Sequence, residues 1–185
     1  MKNIIIVVLI TCFSMCQEKQ QLALVEVESN DSSLVLNNGL LLYINKPFTG
    51  LFKEYDSINN TTNSSNYILG KKEGLETKTY TNQIIAEERF YKRGLKTGNH
   101  RGFWQDGSLK FEYFFNNKGF YDGSFKQWSK DGQIIKEFNY VNGKENGSQK
   151  MWNTNGTIRA NYFVKHGERF GLIGLKKCYS IAVQK

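Results

Sequence analysis

Hydrophobic and polar residues alternate along the C-terminal half of this 185-residue chain. Residues 134–140 place Ile134 and two aromatic residues on one face and Glu137 and Asn139 on the other, with Lys136 the one charged residue on the apolar face. Residues 109–115 repeat the pattern. A period of two is typical of strands with one buried and one solvated face. The pattern therefore predicts an antiparallel sheet, with the Lys136 head group reaching its edge.

Pairs of glycines recur at a nearly fixed interval. The first glycines are spaced 24, 25, 24 and 24 residues apart, and a second glycine stands four residues after each. The pairs are Gly70 and Gly74, Gly94 and Gly98, Gly119 and Gly123, Gly143 and Gly147, and Gly167 and Gly171. A fixed period of this size indicates a repeat array.

Other positions keep the same period. Five residues after the second glycine stand Phe103, Trp128 and Trp152, and nine residues after it stand Gly107, Gly132 and Gly156. The last three follow Asp106, Asp131 and Asn155, and Asp-Gly or Asn-Gly between β-prone runs predicts a hairpin with a type I′ turn. A tryptophan buries about 150–250 Å², so we expect Trp128 and Trp152 to pack in the core. One hairpin cannot bury its apolar face alone, so the units should stack into an all-β array over residues 33–174.

The N-terminal part predicts a degenerate first unit. Asn38-Gly39 separates two apolar runs and predicts a hairpin, and Pro47 to Gly50 opens a strand that reaches Tyr55. Residues 57–66 are polar and predict a loop. We expect residues 17–32 to form a tether, although residues 22–27 could add a strand, and residues 175–185 to form a C-terminal tail.

Residues 1–16 predict an export signal. One lysine precedes the apolar run of residues 4–10, which is too short to span a membrane. The end of the segment resembles the lipobox of bacterial lipoproteins and implies a lipid on Cys16, with Cys12 or a plain secretory signal as the alternatives. Cys178 would then remain as a lone thiol, which excludes a disulfide scaffold. The expected location is the cell envelope, outside the cytoplasm.

The sequence contains no pattern typical of catalysis or of a metal site. His100 and His166 lie in the glycine turns of different units without spaced partners, and we expect both on the turn surface. Glu87 and Glu88 are adjacent, so on a strand they point to opposite faces. The glycine pairs lack the lysine and hydroxyl residue of a phosphate loop. No catalytic, cofactor-binding or metal-binding residue is predicted, and the chain is expected not to be an enzyme.

The formal net charge of +8 is uneven. Residues 17–99 hold 10 basic and 10 acidic side chains, whereas residues 100–185 hold 14 basic and 7 acidic ones. The favoured interpretation is that these lysines form the solvated face of the sheet; the alternative is that the excess attracts an acidic partner or anionic lipid. Nucleic acid is not expected, because Trp128 and Trp152 hold packing positions and the chain carries an export signal.

The repeat resembles a known family. Residues 140–143, Gly147, Trp152 and Asn155-Gly156 are similar to the MORN-repeat variant of the YwqK-type antitoxin family, and the likeness covers roughly residues 34–178. It implies an elongated, curved, non-enzymatic sheet that binds a toxin protein or, in MORN-like arrays generally, proteins or membrane lipids. The predicted export departs from a cytosolic antitoxin. We therefore expect a lipid-anchored, immunity-like protein binder; the alternative is an envelope scaffold on anionic lipid or wall polymer.

Overall fold

The computed structural model describes residues 25–174, and within them the chain forms strands and turns without a helix. The 17 strands are β1 (Glu26–Glu28), β2 (Leu34–Asn37), β3 (Leu40–Tyr43), β4 (Lys46–Pro47), β5 (Gly50–Asp56), β6 (Thr61–Ile68), β7 (Lys71–Tyr80), β8 (Ile85–Lys92), β9 (Leu95–Lys96), β10 (Gly98–Phe103), β11 (Leu109–Phe115), β12 (Tyr121–Trp128), β13 (Ile134–Val141), β14 (Lys144–Glu145), β15 (Gly147–Trp152), β16 (Ile158–Lys165) and β17 (Glu168–Leu172).

Most strands form one open sheet. This main sheet has 14 strands and runs from β1 through β5, β6, β7, β8, β10, β11, β12, β13, β15 and β16 to β17. The short strands β9 and β14 pair with β8 and β13, and β2, β3 and β4 form a separate three-stranded sheet. Every registered pair is antiparallel except β1 with β5. The predicted all-β array of hairpins is therefore confirmed.

The N-terminal unit is partly as predicted. The hairpin of β2 and β3 turns at Asn38-Gly39, and β5 covers the predicted strand. The predicted polar loop over residues 57–66 is wrong, because only residues 57–60 turn and Thr61–Ile68 is a fully paired strand. Its serine and threonine side chains hid a strand that buries Ser65, which donates a hydrogen bond to Glu76. Of residues 22–27, the possible extra strand, Glu26 and Val27 lie in β1.

One face of the main sheet, here called the interior face, carries the buried side chains. Phe138, Ala160, Tyr162 and Val164 form one buried cluster, and Val27, Leu41 and Phe48 form a second that joins the small sheet to the main one. The Lys136 ammonium lies over the rings of Phe125 and Phe138, 4.5 and 4.4 Å from their centroids. Lys136 therefore remains over the interior aromatics instead of reaching the edge, and a cation–π contact offsets its partial burial.

The opposite, exposed face carries a row of charges of alternating sign. The strand registers place six residues side by side on consecutive strands, in the order Glu88, Arg101, Glu112, Lys126, Glu137 and Lys150. Arg101 pairs with Glu88 at 2.8 Å and Lys126 with Glu137 at 3.5 Å. Opposite charges on directly facing strand positions stabilise a sheet. This charge ladder therefore accounts for Lys126 and Lys150 as solvated sheet residues.

Candidate functional site

In four of the five pairs, the first glycine lies in a two-residue turn that joins one unit to the next. Asn142 and Gly143 have φ of 48° and 81°, between the paired residues Val141 and Lys144. Positive φ at both central residues defines a type I′ turn. The turns at Gly70, Gly94 and Gly167 have the same form. The type I′ turns thus join the units.

The Asp-Gly and Asn-Gly loops are not the predicted type I′ turns. Gly107, Gly132 and Gly156 have positive φ, but the preceding residues do not. The Trp104 and Ser108 backbones bracket a three-residue loop, in which Asp106 Oδ1 accepts from the Ser108 N–H at 2.9 Å. This geometry is a type I turn followed by a left-handed glycine. A similar three-residue loop at Gly119 explains the one 25-residue interval.

The second glycine marks a bulge in the first four pairs, whereas Gly171 pairs in register with Tyr162. At the bulge of Gly98, the prediction for His100 is wrong. Between the pairs Glu88–Arg101 and Tyr91–Lys96, β8 supplies two residues and the facing chain supplies four. His100 follows the bulge at Gly98 and is fully buried, with its ring centroid 4.8 Å from that of Phe115. Its Nε2 lies 3.1 Å from the Phe90 carbonyl oxygen. The histidine thus fills the hydrogen-bonding gap that the bulge opens, whereas His166 is exposed in its turn, as predicted.

The aromatic repeat residues are less buried than predicted. Phe103, Trp128 and Trp152 end their strands opposite Leu109, Ile134 and Ile158, next to a register shift in each case. All three are half-buried, and none belongs to a buried cluster. They cover hairpin ends, while the cores are formed by residues such as Phe138 and Tyr162.

A polar network occupies the interior face of the N-terminal half. Glu76 is buried and accepts hydrogen bonds from Ser65 Oγ at 2.6 Å and from the Lys72 ammonium. Burial raises the pKa of the Glu76 carboxyl, but the hydrogen bonds from Lys72 and Ser65 outweigh it, and the net pKa is lowered. Burial also raises the pKa of the neighbouring Tyr67 to about 12. Because Ser65 and Lys72 compensate the charge on Glu76, we assign the network to stabilising the folded state and not to binding a ligand.

The type I′ turns stack along one edge of the main sheet. The Gly94 N–H donates to the Lys72 carbonyl at 2.8 Å, and the Gly143 N–H donates to the Tyr121 carbonyl at 2.7 Å. A Cβ on Gly143 would lie 3.3 Å from Phe120 Cδ1, so the residue after one turn packs beneath the next turn. The stacking aligns side chains from successive units in one row.

This turn edge presents exposed apolar and basic side chains together. Its apolar members are Leu69, Leu95, Phe120 and Val141, all at least half exposed. Its exposed cations are Lys71, Lys92, Arg93, Lys118 and Lys144. Nearby carboxylates are engaged, since Glu73 accepts from the Arg93 N–H and Glu145 pairs with Arg169. No pattern in the sequence indicated this surface, because its apolar residues fall at strand ends and become neighbours only when the turns stack.

Other predicted residues carry no site geometry. Cys16, Cys178, the export signal and the C-terminal tail lie outside residues 25–174. Within those residues, no group of three or more histidine, cysteine, aspartate or glutamate side chains converges to hold a metal ion. The same part of the chain contains no helix long and apolar enough to cross a membrane.

The chain matches no protein-family model and no curated protein.

Proposed function

We propose that this chain is a non-enzymatic, exported repeat protein that binds another protein through the turn edge. The observation that carries the proposal is the apolar row of Leu95 and Phe120, with Leu69 in the preceding turn of the same edge; these side chains are 53%, 50% and 69% exposed. An aligned set of large apolar side chains rimmed by charge is typical of an interaction surface. By the resemblance to YwqK-type antitoxins, the partner is a toxin-like protein met outside the cytoplasm.

The cations of the turn edge define the partner's chemistry. Lys92 and Arg93 flank the apolar row, while the nearby Glu73 is occupied by a backbone N–H. An apolar partner surface with an acidic rim therefore complements the edge. Attachment through a lipidated Cys16 would hold the edge at the envelope, where such a partner arrives.

Affinity capture with the full chain as bait tests this proposal. Leu69→Asn with Leu95→Thr removes two apolar side chains from the edge, and Asn suits the positive φ of 49° at Leu69. Phe163→Thr is the matched control, because Phe163 is equally exposed but lies on the exposed face of β16. We expect the double variant to lose a stoichiometric protein partner that the wild type and the control retain. Equal capture by all three would overturn the assignment of the edge.

The same cations favour a second candidate, an envelope scaffold on anionic lipid or wall polymer. Each lysine or arginine near an anionic surface contributes about 1 kcal/mol of binding. Phosphatidylglycerol vesicles, with neutral phosphatidylcholine vesicles as the comparison, measure this binding directly. Retention on anionic vesicles that salt and Lys92→Glu with Arg93→Glu abolish, without any captured protein, would favour the scaffold.

A further inference from the structure

Within residues 25–174, the main sheet ends in two strand edges that no other strand covers, β1 at one end and β17 at the other. All five residues of β17 are exposed. Uncovered edges present unpaired N–H and C=O groups that can template pairing with another chain.

The outward-facing backbone groups can be assigned at both ends. On β1, the Val25 carbonyl and the Ser29 N–H bond to β5, so alternation turns the groups of Glu26 and Glu28 outward. On β17, the two-residue turn makes Lys165 and Glu168 a hydrogen-bonded pair. Alternation along the strand then turns the groups of Arg169 and Gly171 outward.

The two ends carry opposite charge. Residues 25–56 hold five acidic and two basic side chains, a net charge of −3, and residues 141–174 hold two acidic and five basic ones, a net charge of +3. The charge ladder between them ends on Lys150, whose neighbour on the following strand, β16, is Asn161 instead of an acid. Among the described residues, no ion pair includes Lys150, Arg159 or Lys165. The sheet is thus polarised from an acidic end to a basic end.

The basic end also carries apolar surface. Phe163 and Phe170 face each other across β16 and β17 and are 50% and 55% exposed, and Leu172 lies beside them on the same face. A further strand laid against β17 would place its side chains beside Phe170 and Leu172. The outer strand β1 instead presents acids at the other end, where the exposed Glu26 and Glu28 flank the buried Val27 and Glu26 pairs with Lys53 at 2.6 Å.

We infer that a second copy of this chain covers each uncovered strand edge, and that copies associate head to tail, with β1 of one copy pairing with β17 of the next. A two-fold dimer through β17 would bring two +3 ends together, and one through β1 two −3 ends. Head-to-tail pairing joins opposite charges and leaves a free acidic and a free basic end, so the assembly is open and grows with concentration. The assembly uses the sheet ends, not the turn edge, and is independent of the proposed function.

Charge reversal tests the inference on the full chain. Light scattering in a non-ionic detergent, with the detergent mass subtracted, measures the protein mass as concentration rises. The acidic-end variant carries Glu26→Lys and Glu28→Lys, and the basic-end variant carries Arg159→Glu and Lys165→Glu. We expect the wild-type mass to grow without a plateau near 0.01 M salt, where the Debye length is about 30 Å, and growth to disappear near 1 M.

Each variant alone should stay monomeric, because both of its ends then carry the same sign. An equimolar mixture should assemble again, since each variant supplies the end that the other lacks. Lys130→Glu, in an exposed loop in the middle of the array, is the control and should assemble like the wild type. Glu28→Lys with Glu54→Lys also gives the acidic end a net charge of +1 but keeps the Glu26–Lys53 ion pair, and it replaces the acidic-end variant if circular dichroism shows that one to be unfolded. A wild-type mass that stops at twice that of the monomer would overturn the inference. So would charge-reversal variants that assemble alone as the wild type does.

Discussion

Gln149 and Asn139 are joined by two hydrogen bonds across the gap between β13 and β15. The Asn139 N–H donates to Gln149 Oε1 at 3.0 Å, and Gln149 Nε2 donates to the Asn139 carbonyl at 2.8 Å. Gln149 and His100 hold the same repeat position, two residues after the second glycine. Both are fully buried, and both satisfy backbone groups that a bulge leaves unpaired. Side chains at this repeat position therefore complete the hydrogen bonding of the sheet next to a bulge.

Replacing His100 by glutamine should preserve stability, and replacing it by alanine should not. A glutamine can engage both the N–H and the carbonyl of Phe90, as Gln149 does with Asn139, so we expect His100→Gln to stay within about 1 kcal/mol of wild type. Alanine leaves those groups unpaired beside a cavity and should cost about 2–4 kcal/mol. Urea unfolding of the two variants measures the difference. Equal losses would show that the ring, not its hydrogen bond, matters.

The same histidine should make stability depend on pH. Burial lowers the pKa of His100 below its ordinary value of 6.5, and Arg89 and Lys96 act in the same direction. The folded state then binds the proton less readily than the unfolded state, so stability is complete above pH 6.5 and decreases as the pH falls below it.

Unfolding free energies at about pH 8, 6 and 5 should reveal this dependence, with a slope of up to about 1.4 kcal/mol per pH unit. His100→Gln should remove it, whereas His166→Gln, at the exposed turn, is the control and should keep it. The pKa of Glu76 is lowered from 4.5, so its titration lies in a lower pH window. An unchanged slope in His100→Gln would contradict the assignment.

Trp152 should contribute less to stability than a core aromatic. Because it is half-buried, Trp152→Ala should cost about 1–3 kcal/mol, while Phe138→Ala, in a buried cluster, should cost about 3–5 kcal/mol. Thermal or urea unfolding of both variants gives the order. A greater loss for Trp152→Ala would place the tryptophan in the core after all.

Cys16 should decide whether the chain stays with membranes. Acyl chains contribute about 0.8 kcal/mol per buried CH₂, so Cys16→Ser should move the chain to the soluble fraction and abolish labelling by radioactive fatty acid. Cys12→Ser is the matched control and should leave both unchanged. If Cys12→Ser instead of Cys16→Ser abolished the labelling, the lipid would be assigned to Cys12. An unlabelled wild type would support a plain secretory signal.

Much of the architecture could be predicted from local patterns. The glycine interval and the alternation in β11 and β13 predict stacked hairpins, because backbone conformation and strand periodicity are local properties. The polar composition of residues 61–66 predicted a loop, but their serine, threonine and asparagine residues form a strand between β5 and β7. Their polar side chains are tolerated inside because the neighbouring strand supplies Glu76 as an acceptor, which is a long-range contact.

The period, the hairpin unit and the all-β class follow from the amino-acid sequence alone, since each depends on residues a few positions apart. The three-residue form of the Asp-Gly loops, the burial of His100 and the shared edge of Leu69, Leu95 and Phe120 emerge only in the folded chain. Those outcomes depend on how bulges shift the register between strands and on how the turns stack. Register is set by pairing across the whole sheet, and a shift of one residue exchanges the two faces of a strand.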